Sequence, residues 1–336
     1  MTDRTVSDKV ATIGVDVGGT SISGGLVRHD GEVLATVETP THVLGRGTAL
    51  NTVLAVISEM CSHARAHGWT VDGVGVGLPG PVDVDKGMMA AVAPQNHVPE
   101  FHGVPIAEQI QALTDLPTFV DNDVNALALG ERAFGFGRGA ASLAVLAIGT
   151  EVGGAFVAGD TLVRGAHAFG GEFGHVPVNF DGPQCRCGGR GSLCAYLGGR
   201  QLAAEAQRRV LQGAPSMVVE QAAGDVTAIT SPMVFTAAAA GDPLAATLVD
   251  DACQALAATL AMLVNGLDPE VIVITGGVAG SLVPLRDDIV RRMAAYAFAQ
   301  ALGATRIEIS PSAKRDTVRG GAALFAYERA RRAGRV

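Results

Sequence analysis

A short pattern occurs twice in this chain and limits its possible folds more than any other feature. Residues 11–39 contain an apolar strand, a glycine-rich turn and two further strands, and the same order begins again at Ala141. This repetition predicts an internal duplication of one unit, a β-meander followed by helices. Strand-like and helix-like stretches alternate after the first meander, which indicates an α/β protein with parallel strands beside the opening hairpin.

Length and composition allow two domains. A chain of 336 residues with 48% hydrophobic and 17% charged residues exceeds one average domain and can bury a sizeable core. No low-complexity linker separates the halves, so we place the boundary at a hinge near 121–140. The sequence predicts a small α/β domain at 1–121, completed by a C-terminal helix at 316–336, and a large α/β domain at 122–315.

The periodicity of apolar residues predicts the individual elements. Strands are expected at 11–17, 21–27, 32–39, 73–77, 117–120, 271–275 and 307–309, with three more after Ala141. Helices are expected at 48–67, 106–113, 202–211, 232–240, 243–265 and 316–331, with one more directly after the strand at 117–120 and one after the strand at 271–275 and its GGVAG turn.

Charge and hydropathy exclude several classes of protein. The apolar stretches are interrupted before the ~20 residues that a membrane-spanning helix needs, and the longest, around 252–265, contains Gln254 and Asn265. The N-terminal segment MTDRTVSDKV lacks the apolar core of a secretory signal, so we expect a cytoplasmic protein without a membrane partner. A net charge of −8 offers no surface for nucleic acid.

Each repeat contains a glycine-rich turn, IGVDVGGT at 13–20 and AIGTEVGG at 147–154. Glycines let backbone N–H groups approach phosphate oxygens, threonine hydroxyls add donors, and an aspartate can hold Mg²⁺. Either turn alone is more typical of an ordinary hairpin, but two of them after buried strands favour a triphosphate site. The candidate residues are Asp16, Gly18, Gly19, Thr20, Gly149, Thr150 and Gly153.

Polar residues stand at the end of a predicted strand in TFVDNDVNALALGE, residues 118–131. Ligands bind at the carboxyl ends of the strands in open α/β sheets, so Asn122 and Asp123 are candidates for a catalytic pair. Asp123 is equally suited to cap the following helix, and the two roles compete for its carboxylate oxygens. Asp121 lies two residues earlier, and we expect only one of Asp121 and Asp123 to face the cleft.

Three of the five cysteines, Cys185, Cys187 and Cys194, fall within ten residues, and His175 precedes them. Imidazole and thiolate groups at such spacings can surround Zn²⁺ tetrahedrally, which predicts a structural zinc site. The odd number and the clustering argue against a disulfide framework. The alternative is three unligated cysteines in a loop.

The order and spacing of six segments resemble the ROK (repressor, open reading frame, kinase) family of glucokinase-like sugar kinases. The segments are DVGGTSISGGLV, GVGLPGPVD, VDNDVNALALGE, GTEVGG, GGEFGHVPV and CRCGGRG, and the resemblance extends from about Val10 to about Tyr327. It implies an actin-like, duplicated ribonuclease-H-type fold of two lobes, with ATP in the interdomain cleft, and a homodimer.

The same resemblance implies roles for individual residues. Asp123 corresponds to the base that takes the proton from a sugar hydroxyl. The implied sugar contacts are Asn96, Asn122, Glu172 and His175, and Gly276 and Gly277 fall where the family holds the adenosine.

Two positions depart from the family pattern. The related kinases have C-x-C-G-x-x-G-C, but here the third cysteine is Ser192, and Cys194 stands where the family has a sugar-contacting glutamate. We expect Cys194 to replace the missing zinc ligand; the alternative is a metal-free site. The second glycine-rich turn usually reads G-T-G in the family, but here Glu151 stands in place of the last glycine. A carboxylate ~5 Å from a phosphate repels it by roughly 3 kcal/mol at an effective dielectric of 20. Glu151 must therefore point away, bind through Mg²⁺ or alter the chemistry.

These features predict an ATP-dependent kinase for a hexose or amino-hexose. The first alternative is a catalytically weak sugar-binding or sensor protein of the same fold, in which Glu151 impairs phosphate binding. A transcription repressor of the same family needs a helix-turn-helix of about 60–80 residues before the first turn, and only twelve residues precede Ile13. Turnover of ATP with a panel of sugars separates the kinase from the sensor.

Overall fold

Two five-stranded sheets form the framework of the chain. The computed structural model describes residues 9–43, 45, 47–90, 98–311 and 314–336. Its strands are β1 (Val10–Val17), β2 (Ser21–Arg28), β3 (Val33–Pro40), β4 (Thr70–Leu78), β5 (Val82–Asp83), β6 (Met88–Met89), β7 (Thr118–Asn122), β8 (Ser142–Ile148), β9 (Val152–Ala158), β10 (Thr161–Leu162), β11 (Val271–Thr275) and β12 (Arg306–Ile309).

The helices confirm the predicted long elements and add short ones. They are α1 (Ala49–Ala66), α2 (Ile106–Thr114), α3 (Asp123–Phe134), α4 (Leu193–Leu197), α5 (Gly199–Leu211), α6 (Val218–Gln221), α7 (Ser231–Ala239), α8 (Pro243–Leu267), α9 (Ala279–Leu282), α10 (Arg286–Met293), α11 (Ala299–Ala304) and α12 (Lys314–Arg332). A helix was predicted after β11, where α9 and α10 lie, but α4, α6 and α11 were not predicted, because they are too short to display helical periodicity.

Both sheets have the same strand order. The first is arranged β3-β2-β1-β4-β7 and the second β10-β9-β8-β11-β12. In the first sheet the meander strands β1, β2 and β3 pair antiparallel, whereas β4 lies parallel to β1 and to β7. In the second sheet β11 lies parallel to β8 and to β12. The duplicated α/β fold predicted from the repeated turn is confirmed.

The chain divides into two compact units. The first contains Met1–Ala140, Phe156–Gly170 and Ala313–Val336, and the second contains Ala141–Ala155 and Gly171–Ser312. This division differs from the expected boundary at residue 122, because α3 packs against α12 and so belongs to the first unit.

The C-terminal helix α12 approaches the first sheet at a glycine. A Cβ on Gly75 of β4 would lie 2.0 Å from the carbonyl oxygen of Gly321, so the close approach of strand and helix requires glycine at this position. The strand neighbours of Gly75, Val74 and Val76, belong instead to the apolar cluster that includes residues of α1. Because successive residues of a strand face opposite sides, the sheet lies between α12 and α1.

Helix α8 is the central helix of the second unit, and α4, α5, α7, α10 and α11 pack against it. Its most apolar stretch has a mean hydropathy of 1.4 and is long enough to cross a membrane, but 67% of that stretch is buried inside the protein. Asp242 caps its first turn by accepting from the Ala245 N–H at 2.8 Å. This burial is typical of the core helix of a globular unit.

Candidate active site

Three strand ends of the first sheet meet at one edge. Asp16 of β1 lies opposite Gly77 of β4, and Leu78 of β4 lies opposite Asn122 of β7. Neighbouring strands lie about 4.8 Å apart, so the ends of β1 and β7 are separated by roughly 10 Å. Asp16 and the Asn122–Asp123 corner thus share the edge at which parallel sheets bind ligands.

The turn after β1 is held by its own backbone and by Thr41. The Gly18 N–H donates to the Ser21 carbonyl (2.9 Å), and Thr41 donates its hydroxyl to the Gly18 carbonyl (2.7 Å) and its N–H to the Thr20 carbonyl (3.0 Å). Thr20 is exposed and Asp16 is half-buried. The turn therefore has an exposed threonine and a half-buried aspartate on a fixed backbone, which suits a phosphate bound with Mg²⁺.

The corner between β7 and α3 is capped by Asn122. Its side-chain oxygen accepts from the N–H groups of Val124 (2.9 Å) and Asn125 (3.1 Å), so Asn122 is the N-cap and Asp123 begins the helix. The Asn122 amide also donates to Asp123 Oδ1 (3.0 Å), which accepts from the Val124 N–H (2.9 Å) as well. These contacts orient the half-buried Asp123 carboxylate and relieve it of the capping role.

Asp121 points into the protein interior. It is 1% exposed, and its carboxylate accepts from Arg164 Nε (2.8 Å), the Asn122 N–H (2.7 Å) and Asn125 Nδ2 (3.0 Å). Burial raises the pKa of Asp121, and Arg164 and Asn125 act against that rise. A carboxylate enclosed in this way does not reach a substrate, which leaves Asp123 as the candidate base of the corner.

The second sheet repeats the arrangement. Ala147 of β8 lies opposite Thr275 of the parallel β11, so the turns that follow both strands lie at one edge. Gly276 has a φ of +97°, and a Cβ there would lie 2.5 Å from the Ile148 carbonyl oxygen, so the position requires glycine. A Cβ on Gly277 would meet open space. The β11 turn therefore leaves room for a ligand beside Gly277.

The start of α5 anchors the turn after β8. The Gly199 N–H donates to the Gly149 carbonyl (2.9 Å), and the Arg200 N–H donates to the Thr150 carbonyl (3.1 Å). The Gly149 N–H itself donates to the carbonyl of Glu151 (2.9 Å), as the Gly18 N–H does within the first turn. In both turns the N–H of the first glycine closes the turn, so phosphate donors must come from the residues that follow.

Glu151 forms an ion pair with Arg186. The carboxylate lies 3.2 Å from Arg186 Nη1, and the two side chains are 22% and 40% exposed. Arg186 stands between Cys185 and Cys187 in the cysteine loop. From the sequence, we expected the Glu151 carboxylate to point away, bind Mg²⁺ or change the chemistry. The structure adds a further arrangement, in which an arginine 35 positions away neutralises the carboxylate.

Glu172 and His175 lie on either end of a short 3₁₀ turn. His175 Nε2 is 3.9 Å from Glu172 Oε2, while His175 Nδ1 is 3.6 Å from Cys185 Sγ. Burial raises the pKa of Glu172; His175 lowers it and Glu151 raises it further. His175 thus connects the predicted sugar-contacting glutamate to the cysteine loop through its two ring nitrogens.

The structure groups three of the four predicted metal ligands. The donor atoms of His175, Cys185 and Cys187 all lie within 4.8 Å of one another. Burial raises the pKa of Cys185, but the nearby Ser192 hydroxyl and the other polar groups around the thiol outweigh this and bring it to about 7. Cys194, at the first turn of α4, is fully buried beside Cys185, and burial raises its pKa to about 12.

The fourth predicted ligand, Cys194, stands apart from these three. Cys194 lies outside the group of mutually close donors, because α4 directs its thiol towards the Val152 N–H. Ser192, where the family has its third cysteine, is buried beside Cys185, and its hydroxyl makes no well-formed hydrogen bond among the described residues. One imidazole, two thiols and an unsatisfied buried hydroxyl form a donor set that fits Zn²⁺.

The predicted site residues form two groups, one on each unit. The first holds Asp16, Gly18, Gly19, Thr20, Asn122 and Asp123, and the second holds Gly149, Thr150, Gly153, Glu172, His175, Gly276 and Gly277. Asn96 lies outside the described residues. Arg186 and Arg164 were not predicted. Arg186 could have been recognised as a candidate site residue, because it lies between two candidate metal ligands in the sequence. Nothing in the sequence distinguished Arg164 from other arginines.

Comparison with known proteins supports the resemblance read from the motifs. The profile of the ROK family matches residues 12–328. A glucokinase from Thermotoga maritima is 33% identical over 326 residues, which cover 94% of this chain and 98% of the relative. An N-acetylmannosamine kinase from Escherichia coli is 29% identical over 270 residues, 80% of this chain and 84% of the relative.

A solved structure has the same fold. The crystal structure of a ROK family glucokinase from Streptomyces griseus, in complex with glucose and AMPPNP, matches with a TM-score of 0.74 and 28% identity, covering 94% of this chain and 98% of that one. The family profile spans nearly the whole chain, from residue 12 to residue 328. The chain belongs to the ROK family.

Proposed function

We propose that the chain transfers the γ-phosphoryl group of ATP to the 6-hydroxyl of a hexose or amino-hexose, with Asp123 as the general base. The relatives named as glucokinase and N-acetylmannosamine kinase support sugar phosphorylation by ATP. The observation that carries the proposal is the corner of β7 and α3. There the half-buried Asp123 carboxylate is oriented by Asn122 and the Val124 N–H. One strand, β4, lies between this corner and Asp16 of β1.

The chemistry that the corner must perform is modest. In phosphoryl transfer, most of the acceleration comes from positioning the reactants in line and from neutralising phosphate charge. Asp123 accepts the proton from the sugar hydroxyl, while the turns after β1 and β8 bind the phosphates and the open space beside Gly277 receives the adenosine. Asp16 holds Mg²⁺, which offsets the charge that develops on the phosphates.

Sugar recognition falls to Asn96, Asn122, Glu172 and His175. Cys194 stands where the family presents a glutamate to the sugar, and in this chain it is fully buried. Losing one charge-assisted hydrogen bond costs ~1.5–3 kcal/mol, or roughly 10–150-fold in sugar affinity. We therefore expect plain glucose to be a poor substrate. A sugar modified at C1, C2 or C3, such as an amino-hexose whose ammonium pairs with Glu172, should have the higher kcat/KM.

A panel of sugars tests this substrate class. The measurement is kcat/KM for glucose, mannose, N-acetylated hexosamines and 2- or 3-amino sugars in a coupled assay of ADP release. A clear preference for plain glucose would contradict the proposed role of Cys194.

A structural zinc ion completes the proposal. His175, Cys185 and Cys187 would hold it, and Ser192 lies beside them. Bound zinc adds folding free energy to the loop, since its ligands are brought together only in the folded chain. The cytoplasmic location and the homodimer stay predictions.

The sensor alternative rested on Glu151 and its charge in the phosphate turn. The ion pair with Arg186 supports the catalytic function instead, because it offsets that charge. Turnover of ATP with the sugar panel separates the two, since a sensor binds sugar without releasing ADP.

Replacing Asp123 with asparagine tests the base. The variant should fold and bind sugar like the wild type, because its amide oxygen can still accept from Asn122 and Val124. Its kcat should fall by on the order of 10²–10⁴-fold, because the proton acceptor is gone. Asp115→Asn is the control, since Asp115 is exposed and precedes the opposite end of β7. Near-normal turnover of Asp123→Asn would show that the base lies elsewhere.

A further inference from the structure

A buried arginine joins three distant parts of the first unit. Arg164 lies between two carboxylates, with Nε and Nη2 2.8 Å from Asp121 Oδ2 and Nη2 2.7 Å from Glu328 Oε1. Asp121 is 1% exposed and Glu328 is fully buried, while the Arg164 side chain is 14% exposed. Burial works against the charge on Arg164, yet the two carboxylates raise its pKa above the usual value.

The three residues come from separate chain segments. Asp121 is in β7, Glu328 is in α12, and Arg164 follows β10 in the segment Phe156–Gly170, which enters the first unit from the second and leaves it again. Tyr327 adds a contact, because its hydroxyl accepts from the Leu162 N–H at 3.0 Å and its ring lies 5.4 Å from the Arg164 guanidinium. Arg164 thus fastens this segment to β7, the strand that leads directly into Asp123.

Asp121 transmits the position of Arg164 to the corner. One of its oxygens, Oδ1, accepts from the Asn122 N–H (2.7 Å) and from Asn125 Nδ2 (3.0 Å), while the other, Oδ2, is held by Arg164. Asn122 in turn caps α3 and donates to Asp123. An unbroken series of hydrogen bonds therefore leads from the guanidinium to the candidate base.

Removing the guanidinium leaves the buried Asp121 carboxylate without its cation, whereas Glu328 keeps its ion pair with Arg331 at 2.9 Å. A buried charge that loses its partner is strongly unfavourable, so Asp121 must take up a proton or turn towards water. Either change weakens Oδ1 as the acceptor for Asn122 and Asn125. The planar fork of Arg164 donates to both carboxylates, and a lysine ammonium reproduces its charge but not its shape.

We infer that Arg164 is a positioning residue for phosphoryl transfer, which acts through Asp121 to hold the Asn122–Asp123 corner in its reactive geometry. This inference rests on the proposed function, because it takes Asp123 as the base. The described partners of Arg164 are Asp121, Glu328 and the Tyr327 ring, so it acts on the corner through Asp121.

The test compares Arg164→Met and Arg164→Lys with Arg132→Met. Arg132 of α3 pairs with Asp160 at 3.1 Å and so fastens the same segment to the same unit, but Asp160 is 81% exposed and neither residue contacts the corner. Exposed pairs of this kind contribute little, so Arg132→Met should behave like the wild type.

In Arg164→Met, kcat should fall about 10–100-fold, since a displacement of the order of 1 Å costs this much. The KM for ATP should change by less than about threefold, whereas the Kd for sugar should rise by less than kcat falls, because Asn122 is only one of the proposed sugar contacts. Arg164→Lys should recover part of kcat. Hydrogen exchange at the amides of Asn122, Val124 and Asn125 should accelerate in Arg164→Met and stay unchanged in Arg132→Met.

If Arg164 has a purely structural role, Arg164→Met has a lower melting temperature, but the kcat of its folded fraction is unchanged. That result overturns the inference. If Arg164→Met does not fold, Arg164→Lys decides, and a wild-type kcat in that variant overturns it equally. Hydrogen exchange separates this failure from failure of the proposed function. A wild-type chain that phosphorylates no sugar refutes the kinase, while exchange at the corner still reports whether Arg164 holds it.

Discussion

Replacing Arg186 with alanine removes the positive charge that lies against Glu151 in the second glycine-rich turn. The ion pair spans 3.2 Å, and its carboxylate is 22% exposed. Without Arg186, a negative charge faces the site that we propose for the phosphates of ATP. The KM for ATP should therefore rise, while the affinity for sugar changes less.

The magnitude follows from Coulomb's law and the exposure of the pair. A carboxylate ~5 Å from a phosphate is repelled by roughly 3 kcal/mol at an effective dielectric of 20. Water at a partly exposed side chain reduces this to about 1–2 kcal/mol, or roughly 5–30-fold in the KM for ATP. The increase should shrink as salt concentration rises, because ions screen exposed charges.

A double-mutant cycle isolates this effect. Glu151→Gln alone should lower the KM for ATP or leave it unchanged, and Glu151→Gln combined with Arg186→Ala should return it close to the wild-type value. Arg190→Ala is the control in the same loop, since Arg190 donates to the Gly182 carbonyl. If the increase persists in the double variant, Arg186 acts by a route other than Glu151, and the reasoning fails.

Three further predictions concern stability and metal content. Protein purified without chelators should contain about one zinc per chain by elemental analysis; Cys185→Ser should lose the metal and lower the melting temperature, whereas Cys194→Ser should keep it. In denaturant titrations, Gly75→Ala should lower the free energy of unfolding by about 3 kcal/mol or more, because the new Cβ would lie 2.0 Å from a backbone oxygen. Gly266→Ala should raise the free energy of unfolding by about 0.5–1 kcal/mol, because a Cβ at this position of α8 meets open space. Asp242→Ala should cost about 1–2 kcal/mol at neutral pH, because the cap of α8 is lost. Burial acts to raise the pKa of Asp242, but N–H donors bring it below 3.8. The contribution of Asp242 to stability is therefore present above about pH 4 and disappears on acidification. A difference in unfolding free energy between Asp242→Ala and the wild type that does not narrow at low pH would contradict this.

The regular elements could be predicted because their burial repeats with a fixed period. The sheet strands and helices such as α1 and α8 bury residues at strand or helix spacing, and the structure places each of them within a few residues of the prediction. Helices such as α4 and α6, with four or five residues, contain too few turns to display a period. The unit boundary was misplaced because α3 is held by α12, a contact between residues that lie far apart in the sequence.

Site residues could be predicted where the chemistry is local. Asp123 and the cysteine loop stand out because adjacent residues form the pattern, although the sequence could not decide whether Asn122 or Asp123 caps α3. The partners of charged residues could not be predicted, since Glu151 pairs 35 positions away and Arg164 pairs 43 and 164 positions away. Such pairs depend on the tertiary fold, and a single sequence contains no signal for them.

The position of α12 in the chain has a consequence for biosynthesis. This helix covers the glycine face of the first sheet, but the ribosome makes it only after every strand of the second unit. Roughly 190 residues separate β7 from α12, so at about 5–20 residues per second the sheet waits roughly 10–40 s for its cover. The unit whose synthesis starts first is therefore the one completed last, and its exposed strands are the part of the nascent chain that most needs protection by chaperones.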